Sequence, residues 1–145
     1  SNYSARNFSG KKGETQLRND IVRFAKKHEG TKYKYAGKTP KGFDCSGFTH
    51  FVMKEFDIEL PSVSRAQENE GKKIALKDAQ AGDLIFFRRT KSGSVFHVGL
   101  VISNNSKGIS MIHSSSSRGV VIDNLETNRY WKSKIATARN VLLKH

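Results

Sequence analysis

The stretch Gly42-Phe43-Asp44-Cys45-Ser46-Gly47-Phe48-Thr49-His50-Phe51-Val52-Met53-Lys54-Glu55-Phe56 decides the fold. Its second half sets Phe48, Phe51, Val52 and Phe56 at three- and four-residue spacing, the mark of a helix with one apolar face. Asp44 stands where an N-cap belongs, so a helix is predicted over residues 44–56. Cys45, the only cysteine of the chain, then falls in the first helical turn. Unpaired backbone N–H groups and the helix dipole favour an anion there. A thiolate is the nucleophilic form of cysteine. A lone thiol forms no internal disulfide, so Cys45 serves either packing or reactivity, and its place points to reactivity.

Upstream of this unit, residues 1–13 are rich in Ser, Asn, Gly and Lys and read as a flexible lead-in. A helix is predicted over Thr15–His28, with Leu17, Ile21, Phe24 and Ala25 on one face and Glu29-Gly30 as its stop. Tyr33, Tyr35, Gly37, Pro40 and Gly42 mark residues 31–43 as a loop. Downstream, Leu60-Pro61 closes the helical unit and a short helix is expected over 64–70. From Gly82 the period changes to that of strands, predicted at 83–89, 96–103, 109–113, 119–123 and 136–143. Helices followed by a meander imply α+β, with helices packed on a central, mainly antiparallel sheet of five or six strands.

The 145 residues fit one domain, with a catalytic unit expected over 14–145. Twenty-six Lys and Arg against thirteen Asp and Glu give a net charge of +13, which suits acidic surroundings. The basic residues are scattered, with no aromatic-interleaved run, so no specific nucleic-acid partner is expected. No apolar stretch is long enough to span a membrane. The chain starts at Ser1-Asn2 rather than at methionine, so a processed or truncated product is expected, with room upstream for a lipid anchor or targeting domain.

A cysteine nucleophile needs a base, and the base needs a partner that orients it. Of five histidines, His28 and His145 read as solvated or capping residues, and His50 lies well around the helix from the thiol. His97 interrupts the apolar run Phe96–Ile102. Period two places it with Gly99 and Val101, opposite Phe96, Val98 and Leu100, and Gly99 leaves space where a helix is expected to press close. His97 is either the base or a buried histidine bonded to a carbonyl. His113 ends the strand Ile109–His113; it either takes a hydrogen bond from the far nitrogen of His97 or faces water. One cysteine with two distant histidines is a poor zinc set, and neither a metal nor another cofactor is expected.

Taken together, these blocks resemble the NlpC-type cysteine peptidases. Gly30-Thr31-Lys32-Tyr33, Asp44-Cys45-Ser46-Gly47, Leu60-Pro61 and Ser64-Arg65-Ala66-Gln67 carry the likeness in the first half. Gly82-Asp83-Leu84, His97-Val98-Gly99 and Ile112-His113-Ser114 carry it in the second. The resemblance covers residues 15–143 and implies a papain-like α+β fold and hydrolysis of bacterial cell-wall peptides. By motif, Cys45 matches the nucleophile, His97 the base and His113 the polar third member. Tyr33 matches a tyrosine that borders the site, with its hydroxyl beside the oxyanion. Asp44 and Ser46 match residues that contact the free amino end of the stem peptide, and Arg65 is placed to reach a substrate carboxylate. Two departures stand out: Ala36-Gly37 replaces a glycine pair, and Ser62 replaces the arginine often found after Leu-Pro.

The resemblance implies a murein endopeptidase, a monomer acting outside the cytoplasm in the periplasm, at an outer-membrane anchor or at the cell wall. The expected scissile bond is D-γ-glutamyl–diaminopimelate or its lysine counterpart. Cleavage of the crosslink between stems, a peptidoglycan-binding module without turnover, and an acyltransferase on the same fold are the alternatives.

Overall fold

Helix α1 (Gly10–Lys26) buries Leu17, Ile21 and Ala25 at the spacing that its sequence predicts. A computed structural model of the chain describes residues 10–142. The helix starts earlier than expected, so residues 10–13 belong to its first turn, whereas residues 1–9 of the anticipated lead-in lie outside the described residues. The predicted loop of residues 31–43 contains a small hairpin, β1 (Lys38–Thr39) with β2 (Gly42–Phe43). It leads directly into α2 (Cys45–Lys54), whose N-cap is Asp44. Helix α3 (Ser64–Gln67) follows.

Six strands form one antiparallel sheet in the order β3-β8-β4-β5-β6-β7. These are β3 (Lys72–Ile74), β4 (Leu84–Arg88), β5 (Val95–Asn105), β6 (Gly108–Ser115), β7 (Gly119–Asn124) and β8 (Ile135–Asn140). The five expected strands are present. The edge strand β3 and the one-turn helix α4 (Arg129–Lys132) were not foreseen, since neither is long enough to show a period.

The sheet is apolar on both faces. Leu84, Phe86, Val98, Leu100 and Ile112 join Phe48 and Val52 of α2 and Ile21 of α1 in one core. Ile85, Phe87, Val101 and Met111 join Leu125 and Trp131 in a second core on the reverse face. Two details correct the expected pattern on β5. The helices cover the face of Val98 and Leu100, not that of His97 and Gly99. The space over Gly99 is taken by Met111, whose sulfur would lie 2.5 Å from a Cβ at that position. A register shift after Phe87 leaves Phe96 out of the ladder, and this bulge turns it to the His97 side, against Trp131.

Arg18 fastens α1 to the sheet. Its Nη1 donates to Asp83 Oδ1 at 2.8 Å and to Ala81 O at 2.9 Å, and Asp83 Oδ2 accepts from Gln80 N at 2.8 Å. Both side chains are buried. Burial pushes the Asp83 carboxyl up, and Arg18 opposes that shift. The aspartate of the Gly82-Asp83-Leu84 block thus has a structural task.

Candidate active site

Cys45 is held by a crowded turn rather than by the helix alone. The Asp44 carboxylate accepts from Gly47 N at 2.6 Å, and Asp44 N donates to Gly37 O at 3.0 Å. A Cβ on Gly47 would fall 1.9 Å from Gly37 O, so only glycine lets the first turn seat against this loop. The β5–β6 ladder stops at Leu100↔Ile112, which leaves His97 and Val98 beyond the paired region. The residues before Cys45 fill the opening: Ser114 Oγ donates to Phe43 O at 2.7 Å. Cys45 packs against the helix-side core and is only partly exposed.

His97 and His113 are side by side at this fork. His97 Nε2 and His113 Nδ1 are 2.8 Å apart, and His113 Nε2 lies 2.7 Å from Asp123 Oδ2. Asp123 is gripped in turn by Arg118, at 2.7 Å and 3.3 Å. Burial alone would raise the Asp123 carboxyl, but Arg118 and His113 hold it below its ordinary value. An ionised carboxylate only accepts, so His113 carries its proton on Nε2. Burial lowers the pKa of both histidines, that of His97 strongly, with the charges of His113 and Arg89 adding to it. Both rings are therefore neutral near pH 7. His113 then accepts at Nδ1, His97 donates from Nε2, and His97 Nδ1 keeps its lone pair free. Trp131 stacks on His97 with centroids 4.2 Å apart and fixes the ring plane.

The thiol behaves differently from the expectation set by its helix position. Burial pushes the Cys45 thiol up to about 11, and the backbone N–H groups of Val98, Ser46 and Cys45 oppose this only in part. A thiol beside a neutral imidazole is the resting pair. Cys45 and His97 open on one cavity of about 410 Å³, bordered also by Tyr33, Arg89, Trp131 and the serines 114–117.

The NlpC/P60 family model matches residues 30–140, which is most of the chain. The chain belongs to the NlpC/P60 family. Over 115 residues it is 38% identical to the murein DD-endopeptidase MepS/murein LD-carboxypeptidase of Escherichia coli (strain K12), covering 79% of this chain and 57% of that protein. It is 32% identical over 136 residues to the bifunctional muramidase/DL-endopeptidase CwlT of Bacillus subtilis (strain 168), covering 92% of this chain and 40% of that one. Among solved structures, an NlpC/P60 family protein from Bacillus cereus ATCC 10987 superposes with a TM-score of 0.78 at 38% identity, over 86% of this chain and 40% of that one. The chain spans about half the length of these two curated relatives.

Within this NlpC/P60 domain, Tyr33, Cys45 and His97 border one cavity, and His113 lies behind His97, 2.8 Å from its Nε2. Asp44, Ser46 and Arg65 do not line the cavity. Asp44 caps α2, and the buried Ser46 hydroxyl donates to Ser62 O at 2.7 Å. Arg65 is exposed on α3. His28, expected to be solvated or capping, packs edge-on against Phe24 and Phe51 at 5.0 Å and 5.1 Å, and burial lowers its pKa. His145 lies outside the described residues. Among the described residues, no cluster of three or more His, Cys, Asp or Glu side chains is arranged for a metal ion.

Three residues that hold the histidine pair were not read from the sequence. Asp123 and Arg118 belong to a hairpin that only the β6–β7 register brings under His113. Trp131 sits in α4, where Asn128 accepts from Trp131 N at 3.2 Å. An Asn three residues ahead of the chain's only tryptophan was the one available signal.

Proposed function

We propose that this chain is a cysteine endopeptidase acting on an amide of murein stem peptides, the D-γ-glutamyl–diaminopimelate bond or its lysine counterpart. One observation carries the reading: a partly exposed thiol opens on the same cavity as a histidine whose tautomer is dictated from behind. In the reaction His97 Nδ1 takes the Sγ proton as sulfur adds to the amide carbonyl. The backbone N–H of Val98 favours the sulfur as it turns anionic, and in this reading Cys45 N–H with the Tyr33 hydroxyl serves the oxyanion. The imidazolium of His97 passes its proton to the leaving nitrogen, the C–N bond breaks, and a thioester remains. His97 then deprotonates a water that hydrolyses the thioester, which releases the acid and restores the thiol. His113 and Asp123 spread the transient positive charge without leaving their places.

The domain that does this includes α1 as well as residues 30–140, because α1 contributes to the same core. A charge of +13 suits work beside anionic envelope polymers outside the cytoplasm. MepS is named a DD-endopeptidase and CwlT a DL-endopeptidase, so the products decide which bond this chain cuts. The test is digestion of purified muropeptides by wild type and Cys45→Ala, with products weighed by mass spectrometry. Wild type should release fragments cut at γ-glutamyl, and Cys45→Ala none. Cleavage of crosslinked dimers to monomers alone would assign the crosslink instead, and equal products from both proteins would remove the peptidase reading.

A further inference from the structure

The cavity beside Cys45 and His97 is bordered by two arginines, Arg89 and Arg118, and by no aspartate or glutamate. The two cations differ. Arg118 is neutralised by Asp123. Arg89 has no carboxylate in ion-pair contact among the described residues.

Arg89 is nevertheless fixed in place. Its guanidinium lies over the Phe96 ring, 4.1 Å from the centroid. Phe96 stacks on Trp131 with centroids 5.9 Å apart and planes 17° apart, and Trp131 stacks on His97. The bulge that turns Phe96 toward His97 therefore also builds a column that ends in a cation. A guanidinium held by its face keeps its N–H edge free, and that edge matches a carboxylate. Much of the ordering cost of such a contact is met before a ligand arrives.

The column also fixes which half of a substrate it meets. His97 must face the leaving nitrogen to protonate it, so the groups beyond His97 border the leaving-group half. In a stem peptide cut after γ-glutamyl, that half begins with the diamino acid. Diaminopimelate and lysine offer similar chains with a distal amine, but only diaminopimelate adds a carboxylate at the far carbon. Lysine would bring an ammonium alone to a cavity that holds two arginines and no acid.

We propose that Arg89 is a specificity-determining residue that binds the side-chain carboxylate of a diaminopimelate residue on the leaving-group side. The inference rests on the endopeptidase reading for the identity of the substrate. It makes the protein selective for free diaminopimelate over lysine and over diaminopimelate whose side-chain carboxylate is amidated.

The experiment compares kcat/KM of wild type and Arg89→Gln on three synthetic peptides, L-Ala-γ-D-Glu-X with X as diaminopimelate, its side-chain amide, or lysine. One charge-assisted contact predicts a wild-type preference for the free carboxylate of about ten- to hundred-fold over each alternative. Arg89→Gln should bring both ratios close to one. A wild-type ratio near one overturns the inference while leaving the endopeptidase reading intact, and so does a preference that Arg89→Gln keeps. If wild type cleaves none of the three, the γ-glutamyl reading falls instead. Calorimetric binding of the same peptides to Cys45→Ala, with and without Arg89→Gln, then decides the carboxylate contact. A free-carboxylate preference lost with Arg89 supports it, and equal or absent binding ends it.

Discussion

The two faces of the sheet are built from the same strands and do opposite work. On the helix side, Phe86, Val98 and Leu100 meet Phe48 and Val52 in an apolar core, with polar clasps such as Arg18–Asp83 at its margin. On the reverse side, Phe87 and Trp131 meet His97 and His113, and the apolar residues serve as walls for a polar chain. Packing on the first face needs only volume and period. On the second it must also supply a hydrogen-bond partner for each buried nitrogen, because an unpaired one is costly. Stability should therefore follow the first face, and rate the second.

The sharpest way to break this division is His97→Ala. It should lower kcat/KM by roughly a thousand-fold or more, while stability falls by only about 1–3 kcal/mol from the orphaned His113 nitrogen. A larger loss would show that the reverse face is a stability core after all. Phe86→Ala is the converse: chemical denaturation should show a loss of about 3–5 kcal/mol, with the activity of the remaining folded fraction retained. Asp123→Ala comes next, with a loss of about ten- to hundred-fold in kcat from an unfixed His113 tautomer. If kcat survives, His113 orients His97 without help from behind.

The pH dependence of stability draws on both faces. His28, His97 and His113 all have folded pKa values below the ordinary 6.5, with burial as the first cause. The unfolded chain binds these protons first, so the stability that neutral histidines contribute is present above about pH 6.5 and falls as pH drops below it. Tm measured from pH 7.5 down to 5.5 should show this decline. Alkylation of Cys45 by iodoacetamide should climb with pH toward about 11. A plateau between pH 5 and 8 would reveal a preformed thiolate–imidazolium pair instead.

The smallest effect belongs to neither face. Ala36 has φ 59°, in the left-handed region, at a position where the resembled family commonly has glycine. Ala36→Gly should raise stability by roughly 1 kcal/mol through relieved strain, less the added freedom of the unfolded chain. An unchanged or lower Tm would mean that the loop already absorbs the strain.

The same division explains how much could be read in advance. Leu17, Ile21, Phe48 and Val52 announce their helices by spacing, and alternation in β4 and β5 announces strands. Cys45 and His97 were legible because a short motif and a polar break in an apolar strand are local signals. Asp123, Arg118 and Trp131 were not, since their meaning depends on which hairpin lands behind His113. Phe96 was assigned the wrong face because a bulge shifts the count by one, and no residue type marks it. The thiol was expected to ionise readily because a helix terminus is visible in a sequence, whereas the burial that outweighs it is not.

The clasp between Arg18 and Asp83 has a practical consequence for anyone who would transplant this catalytic unit. The family match begins at residue 30, after α1 has ended. A graft cut at that boundary would strand Asp83 in the interior without its cation and would uncover the surface that Ile21 and Ala25 shield. An uncompensated buried charge is among the costliest defects a small domain can carry. The smallest portable module therefore starts at α1, and a linker to any fusion partner belongs ahead of Gly10.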